Sequence, residues 1–287
     1  MARANLAAGP DTQAKDDGIP RLCLGVSARR RFIPPAALAV ISVLLLAVSV
    51  SRTQAAPQPV GHHARWHLVF DDEFSGSRLD THRWSTGWFG SGVTGPVDLS
   101  ERQCYDPSQV SVRHGELDLQ LIARTEPCST SSGQITRPYV SGIITTRGKF
   151  SFTRGYLEAR VRMPGSGSVA DWPAVWAVGY NWPDDGEVDV VEGLGGQACW
   201  HFHDPSGAPG GCSSKPFAGG WHTFGADWEK RAVTWYYDGR KVGTVRAGIT
   251  SAPMYLVLGL GASDPSYGGP TVVPRSMRVD YVRVWQH

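Results

Sequence analysis

The sequence has no apolar stretch long enough to serve as a conventional membrane span. Its most apolar run, Ala36 to Val50, has 15 residues, against about 20 needed to cross a bilayer. No Cys-x-x-Cys spacing occurs among the 5 cysteines, which argues against thiolate zinc sites. Beyond Arg65 there is no long apolar pattern of helical period, so a helical bundle is excluded. No internal repeat or low-complexity segment stands out, and no basic block follows residue 55, which argues against nucleic acid as a partner.

What is present begins with a leader. Arg29, Arg30 and Arg31 precede the apolar run, and Ser-Arg-Thr-Gln-Ala-Ala follows it. A basic region, a short apolar core and small residues at a cut point describe a secretory signal peptide. The triple arginine before Phe32 and Ile33 also resembles a twin-arginine export signal. Residues 1–55 therefore read as an N-terminal extension with signal peptide, 56–64 as a flexible linker, and 65–287 as one folded domain. The expected location is extracellular, with membrane attachment only if the signal segment stays uncleaved. The leader holds seven basic and three acidic residues, so its loss takes the net charge from +2 to −2.

Cys23 lies in the leader, leaving Cys104, Cys128, Cys199 and Cys212. An even count in an exported chain suggests two disulfides. Three pairings are open, and the sequence-local one, Cys104–Cys128 with Cys199–Cys212, is favoured.

From Arg65 onward short alternating runs are separated by Gly, Pro and other turn residues, the pattern of an all-β sandwich or barrel. Leu117, Leu119 and Leu121 form one inward face, with Glu116, Asp118 and Gln120 turned to water. Leu157, Ala159, Val161 and Met163 form another, with Tyr156, Glu158, Arg160 and Arg162 opposite. Val233, Trp235 and Tyr237 run into Asp238-Gly239, a hairpin signal. Met277 to Trp285 reads as a last strand buried on much of both faces.

The most informative segment is Glu187-Val-Asp189-Val-Val-Glu192, bracketed by Gly186 and Gly193. Buried unpaired carboxylates are costly, so three acids among valines need a reason. Along a strand Glu187 and Asp189 share a face, whereas Glu192 falls on the other. A one-residue bulge at Val190–Val191 returns Glu192 to the same face, and bulges are frequent beside active sites. Glycosidic cleavage uses a carboxylate pair, about 5 Å apart when the mechanism retains configuration. Trp172, Trp176, Trp182 and Trp200 surround the segment, and aromatic faces suit the apolar faces of sugars.

These residues resemble glycoside hydrolase family 16, the laminarinase, lichenase, agarase and carrageenase group, over residues 66–285. The likeness includes Phe70-Asp-Asp-Glu-Phe74, Ser141-Gly142-Ile-Ile-Thr-Thr146, Gly155-Tyr-Leu-Glu-Ala-Arg160 and Trp172-Pro-Ala-Val-Trp176. It continues with Trp182-Pro, Trp221-His222-Thr223-Phe224, Trp235-Tyr-Tyr-Asp-Gly239 and Val279-Asp-Tyr-Val-Arg-Val284. It implies a β-jelly-roll sandwich of two curved antiparallel sheets with a concave substrate cleft. Glu187 would be the nucleophile, Glu192 the acid/base, and Asp189 would set their protonation. Trp172, Trp176 and Trp182 would line sugar subsites. An ordered histidine near the acid/base would be His201 or His203, with His203 preferred. Glu158 would either face the cleft or form a structural salt bridge with an arginine. No cofactor serves the catalysis. A structural calcium far from the cleft would use positions matching Glu73, Gly115 and Asp280, although Asp280 could equally be an ordinary polar strand residue.

The expected activity is a secreted, monomeric, retaining endo-β-glycanase on β-1,3- or mixed β-1,3/1,4-glucan. The alternatives are a hydrolase or transglycosylase on another polysaccharide, such as an agarose-type galactan, and a non-catalytic glucan-binding module. The Gly-rich segment after Glu192 departs from typical laminarinases and bears on the choice of glycan.

Overall fold

The computed structural model describes residues 56–287 apart from 63–64, 89 and 264–270, so the leader expected over 1–55 lies outside the described residues. Seventeen strands are found among them. The first six are β1 (His67–Asp72), β2 (Ser85–Thr86), β3 (Gln103–Tyr105), β4 (Val110–Arg113), β5 (Glu116–Thr130) and β6 (Gly133–Ser141). Then come β7 (Ile143–Thr145), β8 (Gly155–Arg162), β9 (Trp172–Gly179), β10 (Glu187–Leu194), β11 (Gln197–His203) and β12 (Gly210–Ser213). The chain finishes with β13 (His222–Trp228), β14 (Val233–Tyr237), β15 (Arg240–Val245), β16 (Met254–Gly261) and β17 (Arg275–Gln286). No helix among the described residues is long and apolar enough to cross a membrane.

Two sheets result. Seven strands run in the order β12-β11-β10-β9-β16-β7-β2. Ten form the other sheet, β15-β14-β13-β8-β17-β5-β6-β3, with β1 also on β17 and β4 also on β5. Strand pairs are antiparallel except β3 with β6. The sandwich core draws on both sheets: Leu117, Leu119, Leu121, Leu157, Ala159, Val161 and Val282 meet Val175, Val188, Val190, Leu256 and Leu258. Period-two alternation sends these side chains inward and leaves the far face of the seven-stranded sheet free for a cleft.

The hairpin between β14 and β15 turns at Asp238 and Gly239, both with positive φ (48° and 69°), as a two-residue turn matching strand twist requires. Both disulfides follow the sequence-local pairing, Cys104–Cys128 and Cys199–Cys212.

The outward faces are less solvated than alternation alone implies. Asp118 is buried and its Oδ2 accepts from Arg113 Nη2 at 2.9 Å. Residues 56–62, expected as flexible linker, lie instead as a strap on the outer face of the ten-stranded sheet. Trp285 Nε1 donates to the Pro57 carbonyl (2.8 Å), and Gln58 and the Trp66 backbone exchange hydrogen bonds at 3.0 and 3.2 Å. The His62 ring sits against Tyr156 and Tyr236, with centroids 4.5 and 4.6 Å apart. The strap covers Tyr156 and Glu158, which lie opposite the apolar face of β8 and are both buried.

Candidate active site

The acid strand β10 carries the expected bulge. Against β11, Asp189 faces His201 and Glu192 faces Cys199, so three residue steps on one strand match two on the other. Against β9, Asp189 faces Trp176 and Val191 faces Val175. Val190 and Val191 are both turned into the core, fully buried, and Glu192 returns to the face of Glu187 and Asp189. Small residues bracket the strand for steric reasons. Gly186 has φ +85°, and a Cβ on Gly193 would lie 2.6 Å from Pro173 Cδ, so a side chain at either place would displace the strand.

A cleft of about 500 Å³ lies over this face, and Glu187, Asp189, Glu192, Trp172, Trp176, Trp182 and His203 all line it. Asp189 and Glu192 are 4% and 6% exposed. Glu192 is held at both oxygens: Trp172 Nε1 donates to Oε2 at 3.0 Å, and His201 Nδ1 lies 2.6 Å from Oε1. The indole can only donate, whereas the imidazole can give or take a proton. When Glu192 gives up its proton, His201 can therefore donate to the carboxylate left behind.

Asp189 is bonded on two sides. Its Oδ2 is 2.7 Å from His203 Nε2, and it shares a hydrogen bond with Glu187. Burial, followed by the charge of Asp189, pushes the Glu187 carboxyl well above its ordinary range; the Asp189 hydrogen bond and the charge of Glu192 add to this, and only His203 opposes it. Burial and the charge of Glu192 likewise push Asp189 up. Two such carboxyls in contact cannot both ionise cheaply, so the pair retains a proton. The hydrogen bond between them adds to the rise at Glu187 and works against it at Asp189.

Several sequence expectations change. His201, not the preferred His203, is the partner of Glu192; with the strand bulged, His201 sits one register step nearer the acid. Glu158 is on β8 in the ten-stranded sheet, away from the cleft. Its oxygens take the Val60 N–H and the Tyr281 hydroxyl, both at 2.9 Å, so it forms neither a sugar contact nor the anticipated arginine bridge.

The calcium positions do not fit a cation either. Both Glu73 oxygens accept from Arg283 (2.6 and 2.8 Å), Asp280 Oδ2 accepts from Arg160 at 2.7 Å, and Gly115 sits in a turn flanked by Arg113. Guanidinium groups already neutralise both carboxylates. Among the described residues, the sets with side-chain metal-binding potential are Glu187, Asp189 and His203, and Asp189, Glu192 and His201. Their donors are engaged with one another as above.

Residues the sequence gave no reason to choose complete the cleft. Trp88 packs near Trp176 (ring centroids 6.4 Å), while Tyr180 and Tyr255 meet edge to face at 5.0 Å with the Arg147 guanidinium over both rings. Glu101, 6% exposed, accepts from the Asp98 N–H, Gln103 and the Tyr105 hydroxyl, and burial raises its carboxyl to about 7.

Comparison with known proteins agrees with this geometry. A family model described as "XgeA-like, catalytic GH16 domain" matches residues 139–203, which include the whole acid strand. A glucan endo-1,3-beta-glucosidase A1 of Niallia circulans is 30% identical over 78% of the chain, which spans only 38% of that relative's length. A beta-glucanase of Rhodothermus marinus is 26% identical over 85% of the chain and 94% of its own length. The X-ray structure of an endo-beta-1,3-glucanase from Pyrococcus furiosus superposes with a TM-score of 0.66 at 26% identity, covering 77% of this chain and 94% of that one.

Proposed function

We propose that this chain is a glycoside hydrolase of family 16, a retaining endo-β-glycanase acting on β-1,3- or mixed β-1,3/1,4-glucan, a reading supported by the family model and the relatives it resembles. The observation that carries the reading is the bulge of β10, which puts Glu187, Asp189 and Glu192 on one face under a cleft walled by aromatic rings.

In the first step Glu187 attacks the anomeric carbon while Glu192 delivers its proton to the departing glycosidic oxygen. A covalent glycosyl–Glu187 ester forms and the shortened chain leaves as an alcohol. In the second step Glu192, now a carboxylate, takes a proton from water, whose oxygen displaces Glu187 from the sugar. Two inversions leave the anomeric configuration unchanged. In this reading the proton shared by the pair moves to Asp189 as Glu187 attacks, and it limits charge build-up when the ester breaks. Trp172 and His201 fix the acid/base, and no cofactor enters either step.

The glucan preference is supported by the aromatic cleft lining and by the names of the relatives. A neutral glycan suits a cleft whose lining holds Asp98, Glu101 and the three strand acids against Arg147 and His203. Two disulfides suit an oxidising compartment, and with the leader they support a secreted enzyme.

The test is reducing-sugar release by residues 56–287 from laminarin, lichenan, agarose and carrageenan, with Glu192→Gln as control. Release from laminarin or lichenan that the control loses is the expected result. Binding without release from any of the four would favour a recognition module and defeat the enzymatic reading.

A further inference from the structure

A bulge disrupts the ladder of the backbone it distorts, and a buried carbonyl left unpaired is costly. On β10 the carbonyls of Asp189 and Val190, at the bulge, take donors from the opposite sheet, through the core. Trp235 and Tyr237 on β14 are 0% and 1% exposed. Trp235 Nε1 donates to the Asp189 carbonyl at 2.7 Å. The Tyr237 hydroxyl lies 2.9 Å from the Cys199 carbonyl and 3.2 Å from the Val190 carbonyl. It has one proton for two acceptors, and these belong to the two strands whose pairing the bulge interrupts. Asp189 and Glu192 are the register positions on either side of that interruption.

The alternative to the bulge is regular pairing. It would place Val191 under the cleft and turn Glu192 into the core, because a one-residue slip exchanges the two faces of a strand. A donor that meets the backbone only in the bulged form lowers that form relative to the regular one. The ring of Tyr237 is packed edge-on against Trp200, Phe217 and Phe224, with centroids 5.9, 5.3 and 4.7 Å away. The hydroxyl is thus held in place by a rigid aromatic cluster.

We propose that Tyr237 is a positioning residue for the acid/base: its hydroxyl pins the Val190–Val191 bulge across the core and so fixes Glu192 against the leaving oxygen. This rests on the glycosidase reading above. It does not follow from that reading, since the hydroxyl is on the other sheet and out of reach of any sugar.

The experiment compares Tyr237→Phe and Tyr237→Leu with wild type on two substrates. Laminarin has a poor leaving group that needs protonation; a 2,4-dinitrophenyl β-laminaribioside has one that departs without it. The value of kcat/KM reports the glycosylation step for both. A misplaced acid should lower it about tenfold or more on laminarin and less than twofold on the aryl glycoside, with the KM for laminarin little changed. Near-UV circular dichroism checks that the core is packed, and if one variant does not fold the other decides. An equal loss on both substrates, or a lower Tm with unchanged kcat/KM, would overturn the positioning role. Wild-type protein that cleaves neither substrate would overturn the glycosidase reading itself, and the role with it.

Discussion

Glu192 Oε1 and His201 Nδ1 face each other at 2.6 Å on adjacent strands, across the point where the β10–β11 register breaks. His203, two residues further on, faces Asp189 in the same manner at 2.7 Å. The two imidazoles therefore serve different carboxyls, and their removal should have different consequences.

Replacing His201 by Ala takes away the group that stabilises Glu192 after it has lost its proton. The expected loss in kcat on laminarin is about 10- to 100-fold, and it should shrink on aryl glycosides with good leaving groups. His203→Ala acts on Asp189 and hence on the nucleophile, so its loss should be similar on both substrates. Steady-state kinetics on the two substrate types decides this. Equal leaving-group sensitivity in the two variants would contradict the assignment.

Below the strap, Glu158 predicts a pH dependence of stability. Burial raises its carboxyl from 4.5 to about 7. A carboxyl with a raised folded pKa is protonated in the native protein while the unfolded chain has already released its proton. Its contribution is therefore present below pH 4.5 and is lost as pH rises from 4.5 through about 7. The loss for Glu158 is at most about 3 kcal/mol. Glu101, raised to about 7, and Asp171 and Asp227, each raised to about 6, act in the same sense. Glu158→Gln keeps an acceptor for the Val60 N–H without the charge. Its Tm should match wild type at pH 5 and exceed it at pH 8 by about 5 °C. A parallel pair of Tm–pH curves would refute the role of Glu158.

These two predictions draw on parts of the molecule that were unequally legible in the sequence. The bulge could be argued from Glu187, Asp189 and Glu192 alone, since period-two alternation and the cost of burying an acid leave few arrangements. The inward leucines of β5 and the Asp238-Gly239 turn were legible for the same local reasons. Glu158 was not, because what covers it is a strap nearly 100 positions away in the chain, bonded through Val60. The wall formed by Glu101 and Tyr105 was hidden likewise: β3, which carries Tyr105, adds to its sheet in parallel beside β6, a long-range pairing with no local signature. His201 and His203 were both found, but deciding between them needed the register across the bulge.

Removal of calcium should leave this protein unchanged. The family resemblance pointed to Glu73, Gly115 and Asp280, yet Arg283 and Arg160 occupy the two carboxylates. A cation would have to displace both guanidinium groups. Thermal unfolding with and without EDTA should give the same Tm, and added calcium should not raise it. A calcium-dependent rise of several degrees would show that the arginines yield to the ion.

The disulfide Cys199–Cys212 ties the edge strand β12 to β11 at the residue that pairs with Glu192. Its covalent loop is short, with a sequence separation of 13, and closing a loop of that size is worth about 3 kcal/mol in the chain-entropy model. The effect on catalysis should exceed the effect on stability, because Cys199 also offers the carbonyl that Tyr237 holds and lies two residues from His201. Without the bridge β12 is an edge strand of four residues with little apolar surface, and β11 loses its outer neighbour whenever that strand frays. The Cys199→Ser, Cys212→Ser double variant should therefore lose kcat at temperatures well below its Tm. The Cys104–Cys128 bridge is placed differently: it joins β3 to β5 in the ten-stranded sheet, and its removal should lower Tm while leaving kcat at 25 °C within about twofold. Kinetics and calorimetry on the two double variants separate the cases, and equal kcat in both would mean that the edge of the seven-stranded sheet does not support the acid/base.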